Sequence, residues 1–171
     1  MASERKGVIT FKGGPLTLIG PELKVGDAAP NFKLLNNSLQ EITLDNFKGK
    51  TLIISVAPSL DTPVCSLQTQ RFNKEIPQLP AGVEVITVSA DLPFAQGRFC
   101  GAEGIKMLTL SDHRDMAFGD AYGTHIKELR LETRSIFVVG KDGKLKHVEI
   151  VKEVTDHPNY DEALKVAKAN A

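Results

Sequence analysis

A chain of 171 residues, 42% hydrophobic and 25% charged, has the size of one ordinary domain and enough apolar material for a real core. Its 21 basic and 21 acidic residues cancel, which argues against nucleic acid or an anionic membrane as the main partner. No stretch approaches the ~18 uninterrupted apolar residues of a spanning helix. Two cysteines and four scattered histidines make neither a disulfide framework nor zinc-ligand spacing, so no metal or cofactor is expected.

The first twenty residues, MASERKGVITFKGGPLTLIG, are cut in half by Gly13-Gly14-Pro15. That predicts a β-hairpin extension over residues 1–20 rather than a secretory signal, and hence a cytoplasmic chain. Short strands are expected near Phe32–Leu35 and Glu41–Leu44, then a turn at Phe47–Lys50. Thr51–Pro58 is β-branched and apolar on both faces, the mark of a central, parallel strand. A helix is expected from Pro63, with Val64, Leu67, Phe72 and Ile76 as its apolar face and Pro77 and Pro80 ending it.

Val83–Ala90 reads as a second buried strand, Pro93 to about Ala102 as a helix, and MLTLS as a third strand. Asp115–Tyr122 reads as a helix stopped by Gly123, and Arg134–Gly140 as a fourth strand. Asp142-Gly143 turns the chain into an antiparallel return, KLKHVEIV, and Asn159 caps a last helix to about Ala169. Alternating strands and helices followed by a ββα finish make an α/β chain. The expectation is one domain over residues 1–171, a thioredoxin-like sandwich with a mixed central sheet flanked by helices.

The chemistry gathers at VAPSLDTPVCSLQTQRF, where Cys65 sits at a strand-to-helix corner. Pro63 suits the first helical position, Thr62 becomes the N-cap, and Cys65 falls third in the helix. Its sulfur then lies near the positive end of the helix dipole, which favours thiolate. A helix terminus supplies about 0.3–1 kcal/mol, at most ~2, so it shifts the thiol–thiolate balance less than about 30-fold. Full activation needs a cation, and Arg134, opening a buried strand, is the best-placed candidate. Each residue also has a plainer reading. Cys65 and Cys100 are equally read as small core residues, Arg134 as a surface strand arginine, Thr62 as a cap and no more. Phe94 and Phe99 either wall a pocket or fill the core.

Pro58-Ser59-Leu60-Asp61-Thr62-Pro63-Val64-Cys65 matches P-x-x-x-T-x-x-C and resembles the peroxiredoxin motif. VGDAAPNF and the placing of Arg134 resemble that family too, and SADLPFAQGRFCGAEG with the N-terminal hairpin resembles its bacterial thiol peroxidase subgroup. The resemblance implies that Cys65 attacks a hydroperoxide and becomes a sulfenic acid. Thr62 and Arg134 would hold the peroxide and the thiolate charge, and Pro58 would shield the site from water. Cys100 would then close an intrachain disulfide, and thioredoxin or a similar dithiol would reduce it. A homodimer is implied as well.

A disulfide needs Cα atoms within about 7 Å. Two cysteines on helices after different strands are usually farther apart, so both segments are expected to unwind locally. Gly97, Gly101 and Gly104 suit a helix of low local stability. Two rivals keep the same cysteine: a peroxide sensor that relays its disulfide to a partner protein, and a cysteine hydrolase that pairs Cys65 with a histidine.

Overall fold

The computed structural model describes residues 2–171. Its central sheet takes shape around β5 (Thr51–Val56), every residue of which is buried. The period of two sends Leu52, Ile54 and Val56 to one face and Ile53 to the other. Both faces are therefore covered, as expected of a strand apolar on both sides. β6 (Val83–Ser89) and β7 (Leu108–Ser111) continue the sheet in parallel. β10 (Ser135–Val139) runs antiparallel on the other side of β5, followed by β11 (Leu145–Ile150). With β3 (Lys33–Leu35) and β4 (Glu41–Thr43) at the far edge, the seven strands lie in the order β11-β10-β5-β6-β7-β3-β4. This is the expected α/β sandwich with a mixed sheet.

α1 (Pro63–Glu75), α2 (Pro93–Glu103) and α4 (Tyr160–Ala169) supply Phe72, Phe99 and Leu164 to the core on the Ile53 face. α3 (Ala117–Tyr122) supplies Phe118 and Tyr122 to the other, where the two rings stack 4.3 Å apart. Asn159 caps α4 by accepting from the Glu162 amide at 3.1 Å. α1 stops before Pro77, which has no N–H to extend the ladder, and a 3-10 turn over Ile76–Gln78 follows.

The hairpin forms from β1 (Glu4–Phe11) and β2 (Gly14–Ile19). Its turn residues Lys12 and Gly13 both have positive φ, 49° and 82°, the signature of the two-residue turn that matches strand twist. It is not a free appendage. β2 pairs with β8 (His125–Ile126), which pairs with β9 (Leu131–Glu132), giving a second, four-stranded sheet. Gly123 lets the chain after β2 approach α3 this closely, since a Cβ there would lie 2.0 Å from the Pro21 carbonyl oxygen.

Three expectations change. β8 and β9 were not anticipated, because two-residue strands carry no periodicity. Arg134 stands just before its strand rather than in it. The buried face of α1 is Cys65, Gln68, Thr69 and Phe72, whereas Leu67 is 52% exposed. Ranking positions by hydropathy missed this, because half of the inward face is polar.

Candidate active site

β5 ends at Val56, and Ala57 and Pro58 stay buried as the chain leaves the sheet. The loop that follows is tied down by Asp91, which succeeds β6. Its carboxylate accepts from Ser59 Oγ and the Leu60 amide at 2.8 Å each, and from Ser89 Oγ at 2.8 Å. Thr62 then takes extended backbone as the N-cap of α1 and its carbonyl accepts from Ser66 N at 3.0 Å. Its hydroxyl makes no cap to the helix and donates instead to the Ser59 carbonyl at 3.0 Å. Pro63 is the first helical residue and Cys65 the third, as the spacing predicts.

Cys65 is 0% exposed and Arg134 2%. The register of β10 on β5 pairs Ser135 with Val56, so Arg134 comes up beside the carboxyl end of β5. There its Nη2 donates to Cys65 Sγ at 3.2 Å. Opposite unit charges about 4 Å apart attract by about 4 kcal/mol at an effective dielectric of 20. That exceeds anything a helix terminus supplies, so the guanidinium dominates the field at the sulfur. A buried guanidinium must itself be satisfied. Nε donates to the Val154 carbonyl at 2.8 Å and Nη1 to Gln68 Oε1 at 2.7 Å. Gln68 is oriented in turn by donating to Ser55 Oγ at 2.7 Å. The head group is thereby presented to the sulfur with three of its donors committed.

Arg134, Pro58, Thr62, Pro63 and Val64 line a cavity of about 350 Å³ beside this pair. Phe11 and Lys12, the tip of the hairpin, close its rim. Glu153 staples that tip by accepting from Thr10 Oγ1 at 3.1 Å and from the Gly13 amide at 2.9 Å. Hydrogen bonds from the Thr155 hydroxyl and amide, with that from Gly13, hold its carboxyl down at about 2.

The structure thus brings Pro58, Thr62, Cys65 and Arg134 together. Cys100 lies apart, on α2, partly buried, with Thr109 Oγ1 3.5 Å from its sulfur. Both thiols are free. α2 carries Gly97 and Gly101 in its interior, each costing roughly 1 kcal/mol relative to alanine. Phe99 packs in the core while Phe94 is 70% exposed, so neither walls the cavity. Among the described residues no group of three or more His, Cys, Asp or Glu side chains is arranged to hold a metal, and no helix is long and apolar enough to cross a membrane.

Sequence reasoning missed Gln68, Asp91 and Glu153. Gln68 had a signal: it lies three residues after Cys65, on the same helical face, opposite the one serine of an otherwise apolar stretch of β5. The other two act across gaps of thirty or more residues and had none.

The Redoxin family model matches residues 24–164. The thiol peroxidase of Bacillus subtilis is 60% identical over 162 residues, 94% of this chain and 96% of its own. That of Listeria innocua is 54% identical over 94% and 97% of the two chains. The crystal structure of a peroxiredoxin-like protein from Aquifex aeolicus superposes with a TM-score of 0.89 at 41% identity, covering 99% of each chain. A thiol peroxidase from Chromobacterium violaceum shares the fold at TM-score 0.83 and 20% identity over 94% and 95% of the two chains. With a buried arginine donating to its strand-to-helix cysteine and likenesses that run almost from end to end, the chain belongs to the redoxin family, in the thiol peroxidase group of the peroxiredoxins.

Proposed function

We propose that the protein reduces hydrogen peroxide and organic hydroperoxides at Cys65 and recovers through a Cys65–Cys100 disulfide. The observation that carries this reading is the 3.2 Å contact between Arg134 Nη2 and Cys65 Sγ in a buried, otherwise satisfied setting. The thiolate attacks the terminal peroxide oxygen, the S–O bond forms as the O–O bond breaks, and the alkoxide or hydroxide that leaves takes a proton from solvent. Arg134 steadies the thiolate before the attack and the developing oxyanion during it. Thr62 borders the same cavity, and Pro58 excludes water behind the loop.

The Cys65 sulfenic acid then condenses with the Cys100 thiol, releasing water, and a dithiol such as thioredoxin reduces the disulfide. The separate helices of the two cysteines support a local unwinding before they join. The loosely capped start of α1 and the glycines of α2 favour it. The apolar cavity walls Phe11, Pro58, Pro63 and Val64 suit an organic hydroperoxide.

The same reading makes residues 1–171 one domain with a hairpin extension, acting in a reducing cytoplasm, where a catalytic pair of free thiols persists. It also makes the protein a homodimer. Exposed Leu92 and Phe94, next to the Asp91 that anchors the active-site loop, support an interface there.

Intact mass after one equivalent of hydroperoxide tests the chemistry. Wild type is expected to lose two hydrogens, Cys100→Ser to gain one oxygen, and Cys65→Ser to stay unchanged. An oxygen on Cys65→Ser, or an acyl adduct on wild type, refutes the reading. Sustained peroxide consumption with a thioredoxin system separates an enzyme from a sensor, which would consume one stoichiometric burst.

A further inference from the structure

Two residues before Arg134, at the end of β9, stands a carboxyl that the proposed chemistry does not use. Glu132 is completely buried. Its Oε2 accepts from Thr124 Oγ1 at 2.5 Å, and its Oε1 has no partner among the described residues. It presses so closely on α3 that a Cβ on Gly119 would lie 2.9 Å from Oε1. The side chain beside it is another acid, Asp112, in the loop after β7. Asp112 accepts from the Phe118 and Gly119 amides at 3.1 and 2.9 Å, at the amino end of α3.

Among the described residues, the remaining charged groups around the pair give Glu132 no cation. Asp120 of α3 and Asp115 of the same loop as Asp112 are acids. His125 of β8 bonds Asp120 through Nδ1 at 2.7 Å. Arg5 of β1 spends its guanidinium on the Gly20 and Gly123 carbonyls. A second buried anion here would be very costly. One proton removes both difficulties: it neutralises Glu132 and turns the orphaned oxygen into a donor to Asp112. Asp112, with two backbone amides at a helix start, is the better site for the remaining charge.

We propose that Glu132 is held protonated against Asp112 and that this hydrogen bond is a positioning device for Arg134. The connection is short. Glu132 ties β9 to Thr124, just past the end of α3, and the Thr133 amide donates to the Thr124 carbonyl at 2.7 Å. Arg134 follows, just ahead of β10, its carbonyl accepting from Val151 N at 3.0 Å. Loss of the proton sets two carboxylates against each other and pushes β9 off α3, at the root of the arginine that faces Cys65.

Burial, then the neighbouring Asp112, pushes the Glu132 carboxyl well above the usual carboxylate range. Burial raises Asp112 too, while the neighbouring Glu132 carboxyl and the two amides pull it back. Because the Glu132 value is raised on folding, the stabilisation from its proton is complete below the unfolded carboxylate value. It is lost as pH rises through the folded value.

Glu132→Gln tests the proposal, since the amide keeps the donor and the acceptor but cannot ionise. At neutral pH the variant is expected to match the wild-type rate of Cys65 oxidation. On the alkaline side the wild-type rate is expected to fall toward about tenfold per pH unit, while the variant stays on its plateau. Identical alkaline limbs in the two proteins overturn the positioning role. Infrared spectra of the unmodified protein at neutral pH provide a measurement that needs no variant to fold. A protonated-carboxyl band that shifts in D₂O is expected, and its absence overturns the shared proton. The proposal rests on Arg134 acting on Cys65. Arg134→Met therefore runs alongside: an undiminished rate in that variant refutes the active-site reading itself, and the positioning role with it, whatever the infrared band shows.

Discussion

Replacing Gln68 by leucine asks how much of the reactivity of Cys65 depends on a residue that never touches it. The amide accepts from Arg134 Nη1 at 2.7 Å and donates to Ser55 Oγ at 2.7 Å, wholly out of solvent. Leucine fills much the same volume and leaves both partners unpaired. A hydrogen bond to a charged group contributes about 1.5–3 kcal/mol. If that loss falls on the orientation of the guanidinium, Cys65 oxidation slows by about 10- to 150-fold, at ~1.4 kcal/mol per decade. Stopped-flow oxidation of the reduced protein measures it directly. The pH dependence of alkylation by iodoacetamide should move to higher pH in the same variant, because a misaimed guanidinium stabilises the thiolate less. A rate constant within about twofold of wild type, with an unmoved alkylation profile, refutes the reasoning. Were only thermal stability to fall, Arg134 would be held in place by Val154 and its backbone alone.

Asp91→Asn removes one of the two oxygens that gather Ser59, Leu60 and Ser89. A cost of about 1–3 kcal/mol is expected, read as a melting temperature lower by roughly 2–4 °C per kcal/mol. Hydrogen exchange should quicken in the loop before α1 and at the start of α2 together, and quickening in neither would contradict the tie. Glu153 titrates at about 2 when folded, below the unfolded carboxylate value of about 4.3. Its hold on the hairpin is thus full above that unfolded value and is lost as pH falls through about 2. Amides near Thr10 and Gly13 should exchange faster in Glu153→Gln at neutral pH, and equal protection in both proteins would disprove the staple.

Local pattern carried a large part of the molecule. Runs rich in β-branched residues at Thr51–Val56 and Val83–Ser89 announced buried strands, and glycine and proline marked most of the boundaries. Pro63 set the helical frame that puts Cys65 in the first turn of α1. These signals are legible because one or two neighbouring residues produce them: a missing amide, a fixed φ, a side chain that alternates between faces. Helix faces were less legible. Leu67 looked inward and lies outward, since polar Gln68 and Thr69 claimed the buried side through bonds to Ser55, Arg134 and the Cys65 carbonyl.

Chain order and composition therefore carry most of the element types, the cysteine at the strand-to-helix corner and the expectation of a cation near it. What they leave open is settled by pairing between distant segments: the register of Ser135 on Val56 that carries Arg134 to the sulfur, the Gln68 and Asp91 bonds, the sheet that anchors the hairpin, and the meeting of Glu132 with Asp112. The reason is physical. A backbone preference acts within a turn or two of the residue that causes it, whereas a buried charge or orphaned hydrogen-bonding atom takes its partner from whatever the packed elements bring within about 3 Å.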